Sequence, residues 1–287
     1  GSIVCECVSG LILNLHGNAI TLSSELWKRG VRDRAALREE IRRTRGDKVF
    51  TFGAVYPFSS HHYLLRNWLS SFDIDPDNDV RIVIVPPPQM VANLRVGNLD
   101  GFCVGEPWNS VAVQARIGWC AAVSAELDPN HPEKVLMVRR DFAEKREEEH
   151  GALAAALLDA CEFSQAPENR ERVIAMLARS EYVGVPEAAL RAGFSGRFDF
   201  GQGGGMRTIP DFNIFYGQNA NEPSGEKVAW VLQHMRDSGL CGDTAPLNFA
   251  LGRRVFRPDI FEKAEILLKG RRGFWEGDSS ARPLRES

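Results

Sequence analysis

Short, β-branched apolar runs alternate with stretches of helical periodicity through the first half of this chain, and that alternation constrains the fold more than any other feature. Val80–Val85 is β-branched except for Arg81, whereas Ser60–Phe72 places Leu64, Leu65, Trp68, Leu69 and Phe72 at helical spacing. The same reading gives strands at Leu11–Leu15, Lys48–Val55, Leu99–Val104, Trp119–Val123 and Val135–Arg139. Helices fall at Ser23–Arg29, Arg34–Arg45, Gln89–Arg95 and Pro107–Ile117. Strands alternating with helices predict an α/β chain with a mostly parallel sheet covered by helices. Beyond Arg139 the pattern turns helical, at Ala152–Phe163, Pro167–Arg179, Pro186–Ala192, Gly225–Ser238 and Pro258–Lys269. Phe194–Phe215 reads as Gly-rich and irregular, and the polar stretch from Arg271 as a loose tail.

Composition removes several function classes. A chain of 287 residues, 44% hydrophobic, can bury the core of two domains or of one two-lobed unit. A net charge of −3 lacks the cationic excess that non-specific nucleic-acid binding requires. No run approaches the ~20 apolar residues of a membrane-crossing helix. The opening Gly1-Ser2-Ile3-Val4-Cys5 has no signal-peptide pattern and reads as mid-protein text. Three of the six cysteines (Cys103, Cys120 and Cys161) fall inside apolar patterns, which favours reduced, intracellular thiols over an oxidised, exported protein.

Open α/β sheets place ligands where strands end and helix N-termini begin. Four such places carry candidate chemistry. The loop after Leu15, Asn14-Leu15-His16-Gly17-Asn18-Ala19, offers the Asn18 amide beside a glycine that permits a tight turn. After Val55, Ser59-Ser60-His61-His62 opens a helix whose first backbone N–H groups favour an anion, with His61 on the first turn and His62 facing solvent. After Val104 come Gly105-Glu106-Pro107-Trp108, where Gly105 lets backbone approach a small ligand and Trp108 either walls a pocket or fills core. Lys134, in His131-Pro132-Glu133-Lys134, precedes a strand and could balance a bound anion. An amide, an imidazole, an open backbone turn and an ammonium at one end of a sheet suit a small planar oxyanion. Charge-assisted hydrogen bonds contribute roughly 1.5–3 kcal/mol each, so four reach the roughly −8 kcal/mol of micromolar binding.

Those motifs also carry a resemblance. Leu13-Asn14-Leu15-His16-Gly17-Asn18-Ala19-Ile20, Val85-Pro86-Pro87-Pro88-Gln89-Met90-Val91-Ala92-Asn93, Phe102-Cys103-Val104-Gly105-Glu106-Pro107-Trp108-Asn109 and His131-Pro132-Glu133-Lys134-Val135 resemble the nitrate/nitrite/bicarbonate group of solute-binding proteins. The resemblance implies a two-lobed, periplasmic-binding-protein-like (type 2) fold, here without the first portion of lobe one. Residues 1–47 would be the remnant of lobe one, 48–124 lobe two, and 125–270 the return to lobe one with C-terminal helices, followed by the tail 271–287. It implies nitrate or nitrite held by Asn18, His61, Gly105 and Lys134, with Ser60 and Trp108 as possible pocket wall and no cofactor. Bicarbonate-binding relatives carry an acid associated with a metal at the position of Lys134, so Lys134 favours nitrate or nitrite. Three settings follow: a component feeding an ABC-type permease, a domain fused to a transporter ATPase, or a cytoplasmic sensor that restrains an RNA-binding antiterminator. The segments 134–139 and 255–259 and the cysteines favour the cytoplasmic sensor over the periplasmic or membrane-anchored alternative.

Catalytic readings find less support. No G-x-S-x-G elbow, P-loop, calcium loop or H-E-x-x-H spacing is present, although Gly201–Gly205 and Asp73–Asp79 superficially suggest them. An enzyme on the same scaffold, such as a thiamin-precursor synthase, would have Cys103 as its candidate reactive group.

Overall fold

In this computed structural model residues 5–239, 241 and 247–277 are described, with side chains to residue 270; the expectations for residues 1–4 and 278–287 lie outside them. The chain starts with β1 (Cys7–His16), which runs through Gly17 into β2 (Asn18–Ser23). That single residue separates two sheets. β1 pairs antiparallel with β7 (Pro132–Arg139) and with the short β10 (Asn213–Ile214) in a three-stranded sheet ordered β10-β1-β7. β2 belongs to a five-stranded sheet with β3 (Phe50–Ala54), β4 (Val80–Ile84), β5 (Gly101–Gly105) and β6 (Gly118–Val123), ordered β4-β3-β5-β2-β6. A hairpin of β8 (Arg197–Asp199) and β9 (Met206–Thr208) stands apart.

Helices α1 (Ser24–Lys28), α2 (Arg34–Arg43), α3 (Ser60–Ser70), α4 (Pro87–Arg95), α5 (Trp108–Gln114) and α6 (Ser124–Leu127) accompany the five-stranded sheet. The later ones are α7 (Arg140–Lys145), α8 (Glu147–Gln165), α9 (Arg170–Leu177), α10 (Glu187–Ser195), α11 (Gly225–Asp237), α12 (Phe249–Val255) and α13 (Pro258–Gly277). The side chains of β5 alternate between two cores, as period-two geometry requires. Cys103 joins Phe50, Phe52, Leu37 and Trp68 under α2 and α3, while Phe102 and Val104 join Met90, Leu94 and Ala112 under α4 and α5. Leu11 packs with Leu158 and Leu268, so α8 and α13 cover the three-stranded sheet. Gly10 permits that approach, because a Cβ there would lie 2.4 Å from Ile260 Cγ2.

Several expectations are corrected. The sheet is mixed rather than mostly parallel: β3 pairs parallel with β4 and β5, but β2 pairs antiparallel with both its neighbours. Asn18 and Ala19, expected in a loop, and Ser23, expected to open a helix, belong to a fully buried strand, Asn18–Ser23, at the heart of that sheet. Across the boundary expected at residue 48, α1, α2 and β2 share one core with β3. The segment 194–215 is ordered by the β8–β9 hairpin, whose Phe198 and Phe200 pack with Phe212, Ala19 and Val123. The last helix continues through Gly277, past the expected start of a loose tail at residue 271.

Candidate functional site

The two sheets meet where two crossings run side by side. At the first, His16 and Gly17 both take the left-handed backbone, with φ of 62° and 93°. Glycine does so at no steric cost, whereas His16 needs support. Its Nδ1 lies 2.7 Å from the Asp211 carbonyl and its Nε2 accepts from the Asn130 amide at 2.7 Å. Nδ1 is then the protonated nitrogen and the ring is neutral, in keeping with a pKa lowered by burial. At the second crossing the fully buried His131 stacks on Trp230, and burial pushes its pKa down to about 4.

Between these crossings lies a buried carboxylate that sequence reasoning did not single out. The Glu133 side chain, near the start of β7, is 3% exposed. Asn18 Nδ2 donates to its Oε2 at 2.5 Å, and Ser60 Oγ donates to the same oxygen. His61 Nε2 stands 3.3 Å from Oε1, without hydrogen-bond alignment. Lys134 Nζ hydrogen-bonds Oε1. Burial alone would raise the Glu133 pKa; the facing His61 and Lys134 outweigh it and hold the carboxyl well below the usual carboxylate range. The first turn of α3 adds its positive helix end, because Ser60 and His61 are its opening residues behind the Ser59 cap.

The expected residues thus converge, with changes of role. Asn18 is fully buried and pairs with Gly105 across β2 and β5. A Cβ on Gly105 would lie 3.4 Å from Asn18 Oδ1 and 3.9 Å from His61 Nε2, so this glycine does border the cluster. Lys134 reaches it only from outside: its side chain is 57% exposed. Trp108 is partly buried and packs against both the Met90–Ala112 cluster and the Ile174–Leu190 cluster. His62, expected to face solvent, is buried, and burial lowers its pKa to about 4. Cys103 is buried, which raises its pKa well above the ordinary thiol value; Glu133 adds to that effect. A nucleophilic thiol needs the opposite shift.

Among the described residues, no three His, Cys, Asp or Glu side chains gather as a metal site, and no helix is long and apolar enough to cross a membrane. A groove of about 430 Å³ beside α5 and α10 is open, and its Arg191 and Glu171 pair with each other at the surface.

Two sheet-centred lobes joined by repeated crossings, with polar groups converging at the junction, define the solute-binding-protein fold. Residues 8–178 match the model of the NMT1-like family, and the chain belongs to that family. It is 40% identical over 265 residues to the nitrate import ATP-binding protein NrtC of Synechocystis sp., a match covering 92% of this chain and 39% of that protein. It is 37% identical to the bicarbonate transport ATP-binding protein CmpC of Synechococcus elongatus, covering 90% of this chain and 37% of that one. Among solved structures it superposes on the periplasmic nitrate-binding protein NrtA from Synechocystis PCC 6803 with a TM-score of 0.86 and 26% identity, covering 92% of this chain and 68% of that one. The chain thus spans less than half the length of the two transport ATP-binding proteins.

Proposed function

We propose that this chain binds a small planar monoanion, nitrate or nitrite, at the junction of its two sheets, and that it acts as a binding component of a transport system rather than as an enzyme. One observation carries the reading. An amide, a hydroxyl, an imidazole and an ammonium already surround an sp² oxyanion, the Glu133 carboxylate. Nitrate and nitrite share its planarity and charge. Two monoanions about 4 Å apart repel by on the order of 4 kcal/mol in a partly solvated site, so the cluster suits one anion at a time.

The donors come from both sides of the junction: Asn18, Ser60 and His61 with the five-stranded sheet, Lys134 with the three-stranded one. An anion held by both would bias the lobes toward closure, a population shift driven by differential contacts. The relationship to NrtC supports a transport setting, as a domain attached to, or working with, an ABC-type assembly. The cytoplasmic sensor role expected from residues 134–139 and 255–259 gains no support from these transport relatives.

Calorimetric titration of nitrate, nitrite and bicarbonate tests the reading, with His61→Ala and Lys134→Glu as controls. Micromolar nitrate or nitrite binding that weakens at least tenfold in both variants is expected. Binding of none of the three by folded protein rules the reading out.

A further inference from the structure

We propose that Glu133 is a tethered occupant of the anion site that latches the two sheets together, so that an incoming anion must first displace it. The inference rests on the oxyanion reading, but its conformational part can be tested without any anion.

The argument is one of position. Glu133 belongs to β7 of the three-stranded sheet, yet three of its four partners belong to the other side: Asn18 on β2 and Ser60 and His61 on α3. Only Lys134 comes from its own strand. Each carboxylate oxygen is engaged twice, Oε2 by Asn18 and Ser60, Oε1 by His61 and Lys134. The side chain therefore makes the contacts across the junction that a bridging ligand would make. Its charge also offsets that of Lys134, so an anion entering beside it would meet a neutralised site.

A ligand attached to the chain competes at a high effective concentration that dilution does not change. The apparent affinity for a free anion is the intrinsic affinity multiplied by the fraction of molecules in which the carboxylate has left. The latch thus sets a threshold: the site responds only when the anion is abundant enough to displace Glu133. The same interaction joins the sheets when no anion is bound, so closure no longer depends on the ligand alone.

Small-angle X-ray scattering and calorimetry on the full chain, comparing wild type with Glu133→Ala and Glu133→Gln, test the proposal. Without added anion, Glu133→Ala is expected to have a larger radius of gyration than wild type, and nitrate should bring it back. Its nitrate Kd should be at least tenfold lower than that of wild type, with Glu133→Gln between. The Gln variant keeps the side-chain volume, so if Glu133→Ala fails to fold by circular dichroism the same comparison proceeds with Glu133→Gln. Scattering unchanged from wild type, with equal or weaker nitrate binding, overturns the latch and leaves the oxyanion reading standing. Expansion of Glu133→Ala without binding of any anion by either protein supports the latch and overturns the oxyanion reading instead.

Discussion

Glu106 and Glu133 are both acids turned inward near the Gly17 crossing, and they have opposite electrostatic fates. Glu106 follows Gly105, and its carboxyl meets the Ser110 amide at 3.3 Å from each oxygen. No cation contributes to its environment; burial dominates and pushes its pKa up to about 7. Glu133 is also enclosed, but His61 and Lys134 face it and keep it ionised. Burial is common to both, so the groups facing each carboxyl decide. Surroundings that keep a carboxylate charged also suit another oxyanion, and the contrast supports the proposed placing of the anion at the Glu133 cluster rather than at the Glu106 turn.

The largest expected effect comes from removing a partner of the ionised acid. His61→Ala should lower the unfolding free energy by about 3 kcal/mol, because it removes a buried group that faces the ionised Glu133 carboxylate. Adding Glu133→Gln should restore most of that loss in urea titrations. No loss in the single variant would mean that His61 does not support the charge of Glu133, and the contrast would fail. Next comes Glu106. Its folded pKa is raised, so its stabilising contribution is complete below about pH 4.5 and is lost as pH rises toward 7. The loss amounts to roughly 2–3 kcal/mol. Buried neutral His62 and His131, lowered to about 4, act in the opposite direction below pH 6.5. The observable is therefore the difference between wild type and Glu106→Gln, which should grow from pH 4.5 to 7 in favour of the variant. Glu133, with its lowered pKa, should behave inversely. Its contribution is present above about pH 4.5 and lost in acid, so wild type and Glu133→Gln should converge in stability as pH falls. The smallest effect belongs to Gly105→Ala. The added methyl makes ordinary contact with Asn18 Oδ1, so stability should change by less than about 1 kcal/mol. Nitrate affinity should drop about threefold to tenfold as the methyl narrows the cluster.

Much of this site was legible in the chain, because helix starts, strand ends and glycines mark the ends of α/β sheets. Asn18, Ser60, His61 and Gly105 were found that way. Glu133 was not, and the reason lies in register. Along β7, Leu136 and Val138 turn inward, and counting back by twos puts Lys134 inward as well. The pairing with β1 slips on either side of Asn14, which opposes Lys134, while Ile12 opposes Val135 and Leu15 opposes Pro132. One such slip exchanges the two faces of a strand. Lys134 and Val135 are consecutively exposed, and Glu133 takes the inward place. No local pattern in His131–Val135 announces a slip imposed by the partner strand. The strand at residues 18–23 was missed for a different reason: Gly17 and Asn18 carry the chemistry of a turn, and the turn is one residue long.

That brevity has a mechanical consequence. If the two sheets rotate relative to each other about Gly17, displacement grows with distance from the pivot. Asn18 is the adjoining residue and moves least. A grip placed beside its own fulcrum closes through a small distance with large leverage. That small travel suits the proposed anion, which is only a few atoms across.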